Sequence, residues 1–176
     1  HAHEPFFMMV HYWDPHTPYL PPRAYRSLFY DGDPVNPANR SLEGLEEHPL
    51  GQLWRDVWFN KLSGTITDAE YIEALYDGEI RFCDEGVAEL LATLDRAGIG
   101  DKTVVILTAD HGELMFRHGI YFDLHGLYDG NLHVPLIVRH PSFQARRLDH
   151  FVEHVDLAPT ILNLCEQPIP EAMEGV

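Results

Sequence analysis

The sequence predicts an α/β fold with a mostly parallel sheet flanked by helices. Three observations carry that prediction. Short apolar runs at 5–13, 103–108 and 134–138 read as buried strands. A long amphipathic segment, 68–98, separates the first run from the second. A second helical segment, 155–164, follows the third. Strands that alternate with helices are the pattern of a parallel sheet.

The first run, PFFMMVHYW, is too short for a typical helix and predicts a buried strand, with His11 as a core histidine. DPHTPYLPPRAY (14–25) is proline-rich and predicts an extended loop. Residues 31–64 are mixed, except that QLWRDVWFNKL predicts a short amphipathic helix. The clearest element is 68–98. Ile72, Leu75, Tyr76, Ile80, Cys83, Val87, Leu90, Leu91 and Leu94 fall at steps of three and four, which predicts one buried stripe. Thr67 or Asp68 can cap its start, and Gly98 can end it. TVVILT and VPLIV are the next two strands, with His133 on the buried approach to the second. The connection between them is long enough to suggest function. VDLAPTILNL predicts a helix capped by Asp156 with Pro159 in its first turn.

A chain of 176 residues is about one domain's worth, and 45% apolar content can build a core. Lysine and arginine number 12 against 28 acids, a formal charge of −16. That argues against a phosphate-backbone binder, so no nucleic-acid partner is expected. It also repels an anionic substrate unless something local reverses the field. Cys83 and Cys165, the only cysteines, form neither a disulfide framework nor a C-x-x-C pair. No apolar run approaches the roughly 18 residues of a membrane span.

In open α/β sheets ligands bind beyond the carboxyl ends of the strands. Asp110 and His111 stand just past the second strand. A carboxylate and an imidazole can both ligate a divalent metal, although an acid after a strand is also a common helix cap. Glu113 can support that pair or favour a helix N-terminus. His16 lies in a loop stiffened by prolines, either as a placed functional group or as part of a surface turn. His118 and His125 each precede a glycine in the long connection, where histidines could bind an oxyanion.

Taken together, ADHGE, the following HG, YDG, HVPLIV and VDLAPTIL resemble the second half of a sulfatase catalytic domain. FFMMVHYWDPHTPYLPP is similar to its histidine-bearing strand and loop, and YDGEIRFCDEGVAELLATLDRAG to the helix before the metal strand. The likeness covers nearly the whole chain and is weakest over 31–64. It implies an alkaline phosphatase-like α/β fold. Residues 1–176 would be a partial catalytic domain that lacks its N-terminal portion.

By this resemblance Asp110 and His111 are two ligands of a divalent cation, usually calcium. His16, in an H-x-P-x-x-x-P pattern, contacts the sulfate or assists the leaving group. A pair of acids and a formylglycine nucleophile, matured from a Cys or Ser in C/S-x-P-S/A-R, are expected upstream. Neither Cys83 nor Cys165 sits in such a motif. The lysine that commonly precedes the aromatic-acid pair by four residues falls at Leu124, and the adjacent His125 is the substitute. The implied reaction is metal-dependent hydrolysis of a sulfate monoester, with a small-molecule or glycan sulfate as substrate. The chain by itself would hold half a site and turn nothing over. The nearest rivals are a phosphodiesterase, phosphonate hydrolase or phosphoethanolamine transferase of the same superfamily. A rival of another class is a non-catalytic α/β module.

Overall fold

The computed structural model describes residues 4–62 and 65–175. They form two compact units, divided between Pro141 and Ser142. In the first, a short helix α1 (Gly51–Val57) and a long helix α2 (Ala69–Arg96) precede strand β1 (Val105–Thr108). A one-turn helix α3 (Asp129–Leu132) and strand β2 (Leu136–Arg139) follow. The second unit contains helix α4 (Leu157–Leu164).

Helix α2 starts where capping chemistry allows. Asp68 is its N-cap, and its side chain accepts from the Glu70 N–H at 3.0 Å. The helix gives way at Ala97 and Gly98, whose φ is +71°. Its buried stripe covers mainly the first half: Tyr71, Ile72, Ala74 and Leu75 are buried, but Ile80 is exposed. The stripe instead admits an ionisable residue, Glu79, which is 2% exposed.

Leu42, Leu45, Trp54, Trp58, Phe59 and Ile66 form the core together with Tyr19, Tyr71, Ile72, Leu75 and Phe122. Five of these eleven residues come from 31–64, the segment where the resemblance is weakest. Trp58 is fully buried, and its indole N–H donates to the Tyr19 carbonyl at 3.1 Å, so its one polar atom is satisfied. Phe122 packs edge-on against Trp58 (5.0 Å), Trp54 (5.4 Å) and Phe116 (4.9 Å). One side chain of the long connection is thus anchored in the core.

The sheet differs from the expected one. Strands β1 and β2 pair antiparallel, Val105 opposite Arg139 and Thr108 opposite Leu136. A parallel pair needs a crossover, usually a helix across the sheet face. The connection here holds only the single turn of α3 and a tight loop bridged at Leu114–Asp123 and Arg117–Ile120, so the chain folds straight back. Neither strand is fully buried, and Leu136, Ile137 and Val138 are exposed.

Residues 5–13 do not form a strand either. They have no regular secondary structure and no ladder partner among the described residues, and Phe7 is 70% exposed. A strand exists by pairing its backbone, so an apolar run alone does not make one. His11 and His133, expected in the core, are both exposed: residues 5–13 are unpaired, and β2, which follows His133, is itself largely exposed.

In the second unit, Asp156 occupies the N-cap position of α4, and Pro159 in its first turn is buried. Among the described residues no helix is long and apolar enough to cross a membrane.

Candidate functional site

Past Thr108 the chain leaves β1 and turns through Asp110, His111 and Gly112. Asp110 Oδ1 accepts from the His111 backbone N–H at 3.1 Å. His111 Nδ1 lies 2.7 Å from the Gly112 carbonyl. A carbonyl can only accept, so Nδ1 carries a proton, and in the neutral ring Nε2 keeps its lone pair. That Nε2 stands 3.8 Å from Asp110 Oδ2, with the two side chains 32% and 80% exposed. The gap is too long for a hydrogen bond. It is the size left when two donors flank one cation at roughly 2.0–2.5 Å each. A metal-binding histidine usually donates its other ring N–H to a carboxylate, carbonyl or water, as His111 does.

Glycine at 112 follows from packing. Its N–H donates to the Asn131 carbonyl at 2.7 Å. A Cβ there would stand 1.9 Å from the Gly130 oxygen. The Asp-His turn thus rests directly on the backbone of α3.

Glu113 ties this turn to the proline loop. The Thr17 hydroxyl lies 3.4 Å from Glu113 Oε2 and 3.3 Å from the Phe122 carbonyl. Burial pushes the Glu113 carboxyl above its usual range. A hydrogen bond from Tyr19 and the charges of His111 and His16 pull the other way, and Asp123 adds to the rise. Its Oε1 is buried with no partner among the described residues. Burial, and then Glu113, also raise the Tyr19 hydroxyl.

The proline loop presents His16 at the surface, its ring stacked on Trp13 at 4.4 Å. His16 Nδ1 is 2.6 Å from the Thr17 carbonyl, so in this ring too Nδ1 donates and Nε2 is left outside that contact. His125 follows the same rule with a carboxylate: Nδ1 lies 2.6 Å from Asp123 Oδ1, and the side chain is 80% exposed. His118 is placed differently. It stacks on Tyr128 at 3.9 Å and faces an open cleft of about 610 Å³ between α2 and the connection. Arg117 and Glu113 share that cleft with it.

Of the four predicted residues, Asp110 and His111 converge. His16 joins them through Thr17 and Glu113, and His125 through Asp123, whose backbone carbonyl accepts from the Leu114 N–H at 3.1 Å. Among the described residues, no group of three or more His, Cys, Asp or Glu side chains could cage a metal. The pair fits a cation as part of a coordination shell, not as a whole one. Sequence reasoning missed Asp123, Tyr19 and Asn131. The D-x-H spacing of Asp123 and His125 was the available signal, whereas nothing local marks the other two.

The profile of the family described as Sulfatase matches residues 1–166. The chain is 31% identical to the uncharacterized sulfatase YidJ of Escherichia coli (strain K12), over 99% of this chain and 34% of that protein. It is 31% identical to arylsulfatase K of Bos taurus, over 74% of this chain and 24% of that protein. Among solved structures it is similar to the phosphonate monoester hydrolase SpPMH from Silicibacter pomeroyi, with a TM-score of 0.64 and 28% identity. That match covers 92% of this chain and 34% of the hydrolase. The fold is thus α/β and alkaline phosphatase-like, and the chain spans about a third of the length of YidJ and of SpPMH.

Proposed function

The chain belongs to the sulfatase family, and from that membership we propose that it supplies part of the active site of a metal-dependent hydrolase of sulfate monoesters. The observation that carries this reading is the His111 ring. Its Nδ1–H is committed to Gly112, and its Nε2 shares an exposed rim with Asp110 Oδ2, 3.8 Å away. Asp110 and His111 are two ligands of a divalent cation, calcium on the family likeness. A cation held there would polarise the ester oxygens and offset the repulsion between a sulfate and a chain of charge −16. The donors that complete the shell lie outside the described residues, as does the formylglycine nucleophile the family likeness implies.

This chain's own residues orient and move protons. Thr17 fixes the His16 tautomer, and Asp123 fixes the orientation of His125. Each ring leaves Nε2 free of the Nδ1 contact, and once protonated there it can donate to an ester oxygen and pass the proton to the leaving oxygen. The substrate is a small-molecule or glycan sulfate ester.

The test uses the full protein that carries this chain, with 4-nitrophenyl sulfate and calcium. Asp110→Ala and His111→Ala are expected to lower kcat/KM at least about 100-fold, because losing an outer partner of a ligand already costs roughly 10- to 100-fold. Wild-type rates in both variants would remove the metal assignment. A second reading, hydrolysis of phosphonate monoesters, is favoured by the structural likeness to SpPMH. A higher kcat/KM for a phenyl phosphonate monoester than for the sulfate would select it.

A further inference from the structure

We propose that Asn131 is a positioning residue that holds His125 in register with the Asp110–His111 turn, an inference that rests on the sulfate-ester reading above. Asn131 is 3% exposed and sits in the single turn of α3. Its backbone carbonyl accepts from the Gly112 N–H at 2.7 Å, which fixes the turn that carries Asp110 and His111. Its side chain reaches the other way. Nδ2 donates to three consecutive carbonyls, Leu124 at 2.8 Å, His125 at 3.1 Å and Gly126 at 3.1 Å. One residue therefore grips both halves of the site, the first by its main chain and the second by its amide.

Three successive carbonyls do not normally face one point. They do so here because the chain reverses at Gly126, whose φ of +98° disfavours any other residue. A Cβ at that position would also stand 2.7 Å from the Tyr128 ring. The segment is thus bent around the Asn131 amide. Asn131 Oδ1, by contrast, is buried with no partner among the described residues. An orphaned buried acceptor is a cost, so the amide is present for its N–H groups. His125 has a second restraint on its ring, the Asp123 carboxylate at 2.6 Å. The amide sets the backbone and the carboxylate sets the ring, and together they fix where Nε2 stands. A displacement of about 1 Å at such a group can cost 100-fold in rate.

The experiment is a double-mutant cycle in the full protein, assayed with 4-nitrophenyl sulfate. Asn131→Ala is expected to lower kcat roughly 10- to 100-fold with KM within about twofold. In a His125→Ala background the same substitution is expected to cost less than about twofold more, because the group it positions is gone. Asn131→Ser, which keeps one hydroxyl donor, is expected to recover part of the rate and stands in if the alanine variant does not fold. Amide hydrogen exchange at 124–126 is expected to speed up in either variant while β1 stays protected. A full additive loss in the His125→Ala background, or unchanged exchange at 124–126, overturns the proposal. A failure of the underlying reading looks different: His111→Ala then keeps the wild-type rate, and the exchange result still decides the role of Asn131.

Discussion

Glu79 is expected to make the stability of this protein fall as pH rises. It lies on the buried face of α2, 2% exposed. Oε1 accepts the Leu20 N–H at 2.6 Å, and Oε2 has no partner among the described residues. Burial pushes its carboxyl from 4.5 up to about 8; the Leu20 bond opposes that rise and the charge of Asp14 adds to it. The sign follows from proton counting. Between 4.5 and about 8 the folded protein keeps a proton that the unfolded chain has released. The contribution is therefore complete below 4.5 and lost as pH rises through the folded value, at no more than about 1.4 kcal/mol per pH unit. Across that window the upper limit is about 5 kcal/mol, and relaxation of the buried site brings the expected loss to about 2–3 kcal/mol. Glu79→Gln mimics the protonated acid at every pH. Denaturant unfolding at pH 5 should find the two proteins within about 1 kcal/mol, and at pH 9 the variant ahead by about 2–3 kcal/mol. A stability difference that is the same at both pH values, or a wild type that gains on the variant as pH rises, would refute the reasoning.

Three other outcomes are expected. Gly112→Ala places a Cβ 1.9 Å from the Gly130 oxygen. It should cost roughly 1–3 kcal/mol in denaturant unfolding and weaken calcium binding measured by calorimetry, because the backbone beneath the Asp-His turn must shift. Phe122→Ala empties a site ringed by Trp54, Trp58 and Phe116, so a loss of about 3–5 kcal/mol is expected, and a loss below 1 kcal/mol would deny its anchoring role. The isolated 176-residue chain should show no turnover of 4-nitrophenyl sulfate, and measured turnover would show that the site needs no further residues.

Local signals were legible where one short stretch decides the outcome. The span of α2 follows from helical periodicity closed by Asp68 and Gly98, and all three parts can be read without a fold. The same holds for α1, for α4 with its first-turn Pro159, and for the strand identity of β1 and β2. The exit from a strand into Asp110 and His111 marked the candidate site, because strand ends are where open sheets leave room for ligands. The stripe on α2 was harder to read. Periodicity gives a direction around the helix but not what packs on it, so Ile80 is exposed and Glu79 buried.

Residue order alone therefore carried the helices, the strand segments and the Asp-His pair, because each depends on neighbours within a few positions. Pairing direction, burial and the wiring of the site were decided only by tertiary structure. Whether 5–13 is a strand depends on a partner, and whether β1 and β2 run antiparallel depends on how the connection returns. The contacts that unite the site run from Thr17 to Glu113 and from Asn131 to Gly112 and the His125 carbonyl. Such contacts join residues far apart in sequence or bent together by a reversed backbone. No local pattern encodes them, since their energy exists only once the chain has closed on itself.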